Sequence, residues 1–179
     1  MRHLTPPLPP RIYMFFTVRL ADPSSDLLIR EVDRLRHATR ITRDRFPFEI
    51  DEIVVLPSVI HTIWAMPHDD CDASKRWRML KSQFSRGVSV TPPVTNAVLR
   101  RGDKGIWQRR FWEHALHEAN DLTAHREMIL DAPVQAGLAW QAQDWQHSSI
   151  HRAIRNGRYD PVKSIHKRVE PVRNYALPI

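Results

Sequence analysis

Residues 48–66 read Phe-Glu-Ile-Asp-Glu-Ile-Val-Val-Leu-Pro-Ser-Val-Ile-His-Thr-Ile-Trp-Ala-Met. Isoleucine and valine recur throughout this stretch, and such β-branched residues favour strands. Pro57 interrupts the run, because a proline cannot donate a hydrogen bond within a central strand. The stretch therefore predicts two strands, 48–56 and 58–66, on either side of Pro57.

The segments flanking this pair alternate between strand and helix character. In chain order, the predicted elements are a strand (11–20), a helix (from Ser24-Ser25 to about Arg43), the two strands above, a helix (from Asp70 and Asp72 to about Arg86), a strand (106–116) and a helix (119–131) ended by Pro133. This is the split βαβ order. We therefore expect an α+β, ferredoxin-like antiparallel sheet of four or five strands, with helices packed mainly on one face.

Composition bounds the organisation of the chain. Its 179 residues suit one domain, for which we expect a proline-rich N-terminal arm (1–10), a folded domain (11–150) and a basic C-terminal tail (151–179). The single Cys71 can form no intrachain disulfide, in agreement with a reducing cytoplasm. Because no apolar run approaches the length of a membrane span and no signal peptide is visible, we expect no membrane partner and a cytoplasmic location.

The charge of the chain indicates a polyanionic partner. Its net charge is +7 and its pI is about 10.2, a balance that favours nucleic acid. Residues 151–179 contain seven Lys/Arg and two Asp/Glu, so this segment alone contributes +5. The tail is therefore predicted to contact phosphates.

One run of the chain is far more specific than any pattern of periodicity. It reads Gly105-Ile-Trp-Gln-Arg-Arg-Phe-Trp-Glu-His114, and further segments accompany it in a fixed order: Val54-Val55-Leu56-Pro57, Arg76-Trp77-Arg78, Pro133-Val134 and Ser148-Ser149-Ile150-His151-Arg152. Over roughly residues 11–160 these segments resemble the single-tyrosine His-hydrophobic-His (HUH-like) transposases, in particular the REP-associated tyrosine transposases. The resemblance implies a ferredoxin-like fold, nucleoid-associated work in a bacterium, and single-stranded or hairpin DNA as the partner.

The resemblance also implies a reaction that this chain lacks the groups to perform. Members of the family use Mg²⁺ or Mn²⁺, held by two histidines on one strand, and a helix tyrosine that attacks the scissile phosphate. Here the histidine positions hold Val59 and His61, the tyrosine position holds Met128, and a polar position one helical turn later holds Ala132. A thioether forms no stable phosphate ester, and a methyl group cannot ligate a metal. We therefore expect a degenerate member with no catalytic residue, no cofactor, and only His61 left of the metal site.

Three basic groups are predicted to bind DNA. They are Arg76, Arg78 and Lys81 on the second helix; Arg109, Arg110 and Trp112 on the strand at 106–116; and Arg152, Arg155 and Arg158 in the tail. The arginines are expected on phosphates and the tryptophan against an exposed base. Strand alternation would place Arg109 on one face with Trp107 and Phe111, and Arg110 on the other. For each group, the alternative interpretation is a solvated basic surface.

Other potential metal ligands have simpler explanations. The run His68-Asp69-Asp70-Cys71-Asp72 predicts a solvated turn with capping aspartates. The pairs His114/His117 and His147/His151 have spacings that could hold a metal on a helix. Because the resembling family segments also carry histidines after Trp-Glu and before Arg, neither pair requires a new function.

The sequence thus favours a nicking-deficient DNA-binding protein that recognises a hairpin or palindromic element. One alternative is an active metal-dependent single-strand endonuclease or transposase with a displaced nucleophile, for which the candidates are Tyr13, Tyr159 and Tyr175. Another is an interaction module for RNA or a protein. Both a monomer and a homodimer remain open.

Overall fold

A computed structural model describes residues 11–89 and 105–161, so the proposed N-terminal arm and the tail beyond Pro161 lie outside the described residues. The strands are β1 (Arg11–Arg19), β2 (Glu49–Val55), β3 (Val59–Pro67) and β4 (Trp112–Leu116). The helices are α1 (Leu27–Arg30), α2 (Val32–Arg45), α3 (Ala73–Ser85), α4 (Ala119–Gln135) and α5 (Ile150–Arg155), with one 3-10 turn at Ala142–Asp144.

The four strands form one antiparallel sheet in the order β2-β3-β1-β4. Two connections contain helices, α1 and α2 between β1 and β2, and α3 between β3 and β4. This arrangement confirms the predicted α+β, ferredoxin-like class. Directly paired residues of antiparallel strands point to the same side of the sheet, so the register assigns each side chain to a face.

The first face of the sheet packs against α2 and α3. Its core contains an aromatic cluster in which the rings of Trp64 and Trp77 stack at 4.3 Å and Phe16 lies 4.9 Å from Trp64. Helix α3 starts where the sequence predicts, because the Asp72 side chain accepts a hydrogen bond from the backbone N–H of Lys75 at 3.0 Å. These three buried rings belong to the largest hydrophobic cluster of the described residues.

The second face is covered by α4. Ile129 packs with Phe15, Val54 and Ile63 in a separate cluster, which we call the second-face core. Helices therefore lie on both sides of the sheet, with α1, α2 and α3 on the first face and α4 on the second. A cleft-like site on the second face would consequently be bounded by β1, β3, β4 and this helix.

Pro133 does not end α4, which continues to Gln135. A proline removes one helical hydrogen bond, but here its ring is buried and lies in the last turn. Gly137 follows with φ 68°, and the N–H of Leu138 donates to the Pro133 carbonyl at 2.9 Å. This left-handed cap terminates the helix in place of the proline.

The predicted strand at 106–116 is shorter than expected, since β4 begins only at Trp112. Gly105 adopts φ 64°, and the adjacent Ile106 and Trp107 are both buried, so their side chains do not alternate. A single bridge joins Trp107 to Leu20. The predicted grouping of Arg109 with Trp107 and Phe111 on one strand face is therefore wrong, and Arg109 is exposed in an irregular segment.

The predicted boundary between a folded domain and a tail at 150/151 is also wrong. It falls at the start of α5, whose Ile150 and Ala153 are buried together with Leu130 of α4 and Tyr159. The hydroxyl of Tyr159 donates to Asp131 at 2.7 Å. Residues 150–159 are thus a packed part of the domain.

Candidate active site and nucleic-acid interface

His61 lies on the second face, at the centre of the sheet. It pairs with Thr17 of β1 and Val54 of β2, and its Nδ1 lies 2.9 Å from the Thr17 hydroxyl. The ring also stacks against Phe15, with centroids 6.1 Å apart and planes within 8°. Burial, together with the positive charge of Arg19, lowers the pKa of His61 to about 4. The imidazole is therefore neutral near pH 7 and belongs to a hydrogen bond between two neighbouring strands.

The three other positions singled out in the sequence also lie on β3 or α4. Val59 lies on β3, and Ala132 on α4, and both pack against the second-face core. Met128, one helical turn before Ala132, is 36% exposed. The structure thus brings His61, Val59 and Ala132 to the same side of the sheet, beneath the helix that carries Met128.

Tyrosine occurs at two positions within the described ranges, and neither resembles an available nucleophile. Tyr13 is partly buried against the second-face core. Tyr159 is buried, and its hydroxyl is bonded to Asp131 on α4. Tyr175 lies outside the described residues. Reaction at Tyr159 would require its ring to leave a packed cluster.

A cluster that the sequence did not predict lies beside this region. Nε2 of His114 on β4 is 3.0 Å from Asp121, and Nδ1 of His125 is 2.9 Å from the same carboxylate, both on α4. The sequence paired His114 with His117, but His114 belongs to a strand and His117 is exposed beyond its end. The four-residue spacing of Asp121 and His125 was the available signal, since it places both on one helix face.

Two of the three predicted DNA-binding groups lie on segments that contact each other, α3 and the segment before β4. The ammonium of Lys81 is 3.1 Å from the Gln108 carbonyl and lies over the rings of Trp107 and Phe111. The exposed predicted residues of these two segments and of the first position of β4 are Arg78, Arg109, Arg110 and Trp112. Trp112 is 41% exposed, and its ring stacks on His114 at 5.7 Å. We call these four exposed residues the α3–β4 surface, in which the pairing of Trp112 with Thr17 directs the tryptophan ring to the second face of the sheet.

Arg76 is not part of that surface, and its predicted role as a DNA contact is wrong. Its side chain is 0% exposed. The guanidinium donates to the carboxylate of Asp70 at 3.1 and 3.2 Å and to the carbonyls of Asp72 and Pro47, each at 2.9 Å. Hydrogen bonds from Lys75 and from Arg76 lower the pKa of Asp70 to about 2. Arg76 therefore anchors the predicted capping turn instead of facing solvent.

Two of the three predicted tail arginines are engaged with β2. Arg158 lies 3.2 Å from Asp51 and 3.1 Å from Glu52, while Arg152 donates to the Asp51 carbonyl. Glu52 is buried, and burial raises the pKa of its carboxyl against the opposing effect of a hydrogen bond from Ser149. Arg152 and Arg158 consequently hold the C-terminal segment to the sheet, and Arg155 is exposed and takes no part in these contacts.

A basic groove was missed by the sequence analysis. It has a volume of about 580 Å³ and runs between α2, β2 and the C-terminal segment, and its arginines are Arg36, Arg40, Arg43, Arg152 and Arg155. The three from α2 are spaced by four and three residues, which places them on one helix face. That spacing is visible in the sequence and was the signal for this groove.

Similarity to known proteins assigns the chain to a family. It is 42% identical over 146 residues to the REP-associated tyrosine transposase of Escherichia coli K12, covering 81% of this chain and 80% of that protein. The chain belongs to the REP-associated tyrosine transposase family. A Haemophilus influenzae protein assigned to the same family is 34% identical over 142 residues, covering 79% of this chain and 81% of that one.

A solved structure of a family member agrees with this assignment. It is a REP-associated tyrosine transposase bound to a REP hairpin, with 34% identity and a TM-score of 0.73, and the match covers 98% of this chain and 96% of that one. No profile of a known protein family matches the chain. Among the residues that the structure describes, no helix has the length and apolar character needed to cross a membrane.

The metal that the resemblance implies for REP-associated tyrosine transposases does not fit the residues at its site. Mg²⁺ and Mn²⁺ prefer oxygen ligands, usually carboxylates, phosphates and water. Here Val59 and Ala132 supply only apolar carbon, and Nδ1 of His61 is engaged with Thr17. One buried imidazole is an insufficient donor set for such an ion.

Proposed function

We propose that this REP-associated tyrosine transposase is nicking-deficient and acts by binding a hairpin or palindromic DNA element. The observation that carries the proposal is the composition of the second face. Val59 replaces one expected metal ligand, His61 is bonded to Thr17, and the helix position expected for tyrosine holds Met128. Nucleophile and metal act as a unit in such enzymes, so the loss of both leaves little of the rate enhancement.

The α3–β4 surface supports DNA binding independently of catalysis. Its exposed arginines can neutralise phosphates, while Trp112 offers an aromatic face on which an unpaired base can stack. The related structure that binds a REP hairpin aligns with nearly the whole chain. A DNA partner also implies cytoplasmic, nucleoid-associated work, which we include in the proposal.

The direct test is incubation of the full chain with a labelled single-stranded hairpin DNA and Mg²⁺ or Mn²⁺. We expect retention of the DNA, no cleavage, and no protein–DNA adduct that survives SDS. A matched triple variant, Val59→His with Met128→Tyr and Ala132→Asn, should be required for any recovered nicking. Each single substitution alone should recover little nicking. A tyrosine without a bound metal lacks the ion that activates the phosphate, and a metal site without the tyrosine lacks the nucleophile.

Two other results would support different functions. An SDS-stable adduct in the unmodified chain that is lost on Tyr13→Phe, Tyr159→Phe or Tyr175→Phe would reveal a displaced nucleophile and overturn the proposal. Failure to retain any hairpin at low salt would also overturn it. In that case, retention of RNA or of a protein partner would be tested on the same exposed arginines.

A further inference from the structure

We propose that His114, Asp121 and His125 form a binding site for a divalent transition-metal ion, for which Zn²⁺ is the reference. This site is separate from the expected position at Val59 and His61. The inference does not depend on the proposed function, because metal binding is measurable without DNA. Its first support is that three ligand types suited to such ions converge from two different elements.

The geometry of the trio is close to that of a metal site. Their potential ligand atoms all lie within 4.8 Å of one another. Asp121 is 3.0 Å from His114 Nε2 and 2.9 Å from His125 Nδ1. In a tetrahedral zinc site with bonds of about 2.0–2.1 Å, adjacent ligand atoms are roughly 3.3 Å apart. Two of the three separations therefore need to change by only a few tenths of an ångström.

The donor set favours particular ions. Two imidazoles and one carboxylate suit Zn²⁺, Co²⁺ or Ni²⁺ better than Mg²⁺, which prefers oxygen ligands. The His114 side chain is 43% exposed, so a fourth position is open to water or to a phosphate oxygen. Binding through Nδ1 of His125 would replace its 2.9 Å hydrogen bond to the Asp121 carbonyl. The alternative explanation is purely structural: the same hydrogen bonds join α4 to β4 and no metal binds. The experiment below distinguishes these two explanations.

The trio is kept apart from His61 by an aromatic ring. Phe15 stacks on His61 at 6.1 Å and contacts His125 at 4.9 Å, so an apolar side chain contacts both imidazoles. On the other side, His114 stacks on Trp112 of the α3–β4 surface. A bound ion would thus fix the β4–α4 contact and place positive charge next to the exposed tryptophan.

The test is Zn²⁺ binding to the metal-free full chain, measured by calorimetry and by the metal retained after dialysis. We expect Asp121→Asn and, separately, His114→Ala to remove one bound ion per chain or to weaken its binding at least about tenfold. Matched controls are His117→Ala, an exposed neighbour of the trio, and His61→Gln, which changes the other imidazole site. Both controls should bind Zn²⁺ as the unmodified chain does.

Because the chain has ten histidines, only the difference between variants decides. A second readout is the midpoint of thermal unfolding, which Zn²⁺ should raise in the unmodified chain and in both controls but not in Asp121→Asn. The asparagine keeps the size of the side chain, and circular dichroism checks that each variant is folded. Equal Zn²⁺ retention in the unmodified chain and both trio variants would overturn the proposal, as would the absence of any Zn²⁺-dependent shift.

Discussion

The hydroxyl of Thr17 lies 2.9 Å from Nδ1 of His61, its direct partner across the pairing of β1 with β3. A threonine hydroxyl can donate to an unprotonated imidazole nitrogen, which requires the ring proton to lie on Nε2. The lowered pKa of His61 agrees with that neutral form. A position that the family resemblance assigns to a metal ligand therefore serves here in a hydrogen bond that joins two strands.

This contact predicts a loss of stability on acidification. The pKa of His61 is about 4 in the folded chain and about 6.5 when unfolded, so the unfolded state binds more protons between these values. The contribution of the neutral His61 ring to the free energy of unfolding is fully present above about pH 6.5. This contribution is lost as the pH falls towards 4. Between pH 7.5 and pH 5 we expect a loss on the order of 1–2 kcal/mol, measured as the free energy of unfolding in urea.

The matched variant for this measurement is His61→Gln, which retains a hydrogen-bonding group but does not titrate. Its unfolding free energy should fall less over the same pH range than that of the unmodified chain. The comparison is necessary because Glu52 and Asp70 also have shifted pKa values and contribute to the total pH dependence. Identical pH profiles for the two proteins would show that His61 is not the titrating group.

Arg76 and Arg78 are predicted to separate stability from DNA binding. Arg76→Ala removes the side-chain donor to the Asp72 and Pro47 carbonyls and one of the two cationic partners of Asp70, so we expect a loss on the order of 3 kcal/mol in unfolding free energy. Arg78→Ala removes an exposed side chain of the same helix and should leave stability nearly unchanged while weakening hairpin binding. Urea unfolding and hairpin retention on both variants check this. Comparable stability of the two variants would contradict the structural assignment of Arg76.

The sequence predicts the sheet better than it predicts the sites. Strong local signals, such as the proline between β2 and β3 and the Asp72 cap, are independent of the rest of the chain. Burial of Arg76 was not predictable from its neighbours Arg78 and Lys81, because it depends on the Pro47 carbonyl, which is 29 residues away. Contacts of long sequence separation leave no periodic pattern for a local analysis to detect.

The same limit explains the error at the C-terminus. Ser149 bonds to Glu52 across 97 residues, and its N–H donates to the Ile53 carbonyl at 2.9 Å. Charge composition alone indicated a solvated basic tail, whereas two of its arginines are paired with acidic residues of β2. A count of charges cannot distinguish paired from unpaired arginines, and the pairing is a property of the fold.

The α3–β4 surface predicts a measurable salt dependence. Each phosphate contact contributes about 0.7–0.9 to the slope of log affinity against log salt concentration. Arg109→Ala and Arg110→Ala should therefore each reduce the slope for a hairpin by about one. Arg45→Ala is the matched control, because this exposed arginine belongs to the opposite end of β1 from the α3–β4 surface. Arg45 ends α2, four residues before Glu49, which is paired with Arg11 at the start of β1. Trp107, which precedes Arg109 and Arg110, is bridged to Leu20 just after the end of β1. Equal slopes for all three variants would mean that the DNA does not contact Arg109 or Arg110. The basic groove beside α2 would then be the next DNA-binding surface to test.

Two truncations should behave differently, because residues 150–159 are packed against the rest of the domain. Removal of residues 162–179 deletes four Lys/Arg and one Glu, a net charge of +3, and leaves the contacts of Ser149, Arg158 and Tyr159 intact. We expect an unchanged unfolding midpoint, and a hairpin salt slope reduced by up to about 2–3 if the deleted cations contact phosphates.

Removal of residues 149–179 additionally deletes α5 and the partners of Glu52. It leaves a buried carboxylate without its hydroxyl and guanidinium donors and uncovers Leu130, so we expect a loss of at least about 3 kcal/mol or an insoluble product. The full chain with Arg158→Ala tests the ion pair alone and should fall between the two truncations in stability. Urea unfolding of all three proteins, with far-ultraviolet circular dichroism, measures the order. A 149–179 deletion as stable as the 162–179 deletion would mean that α5 does not contribute to the folded domain.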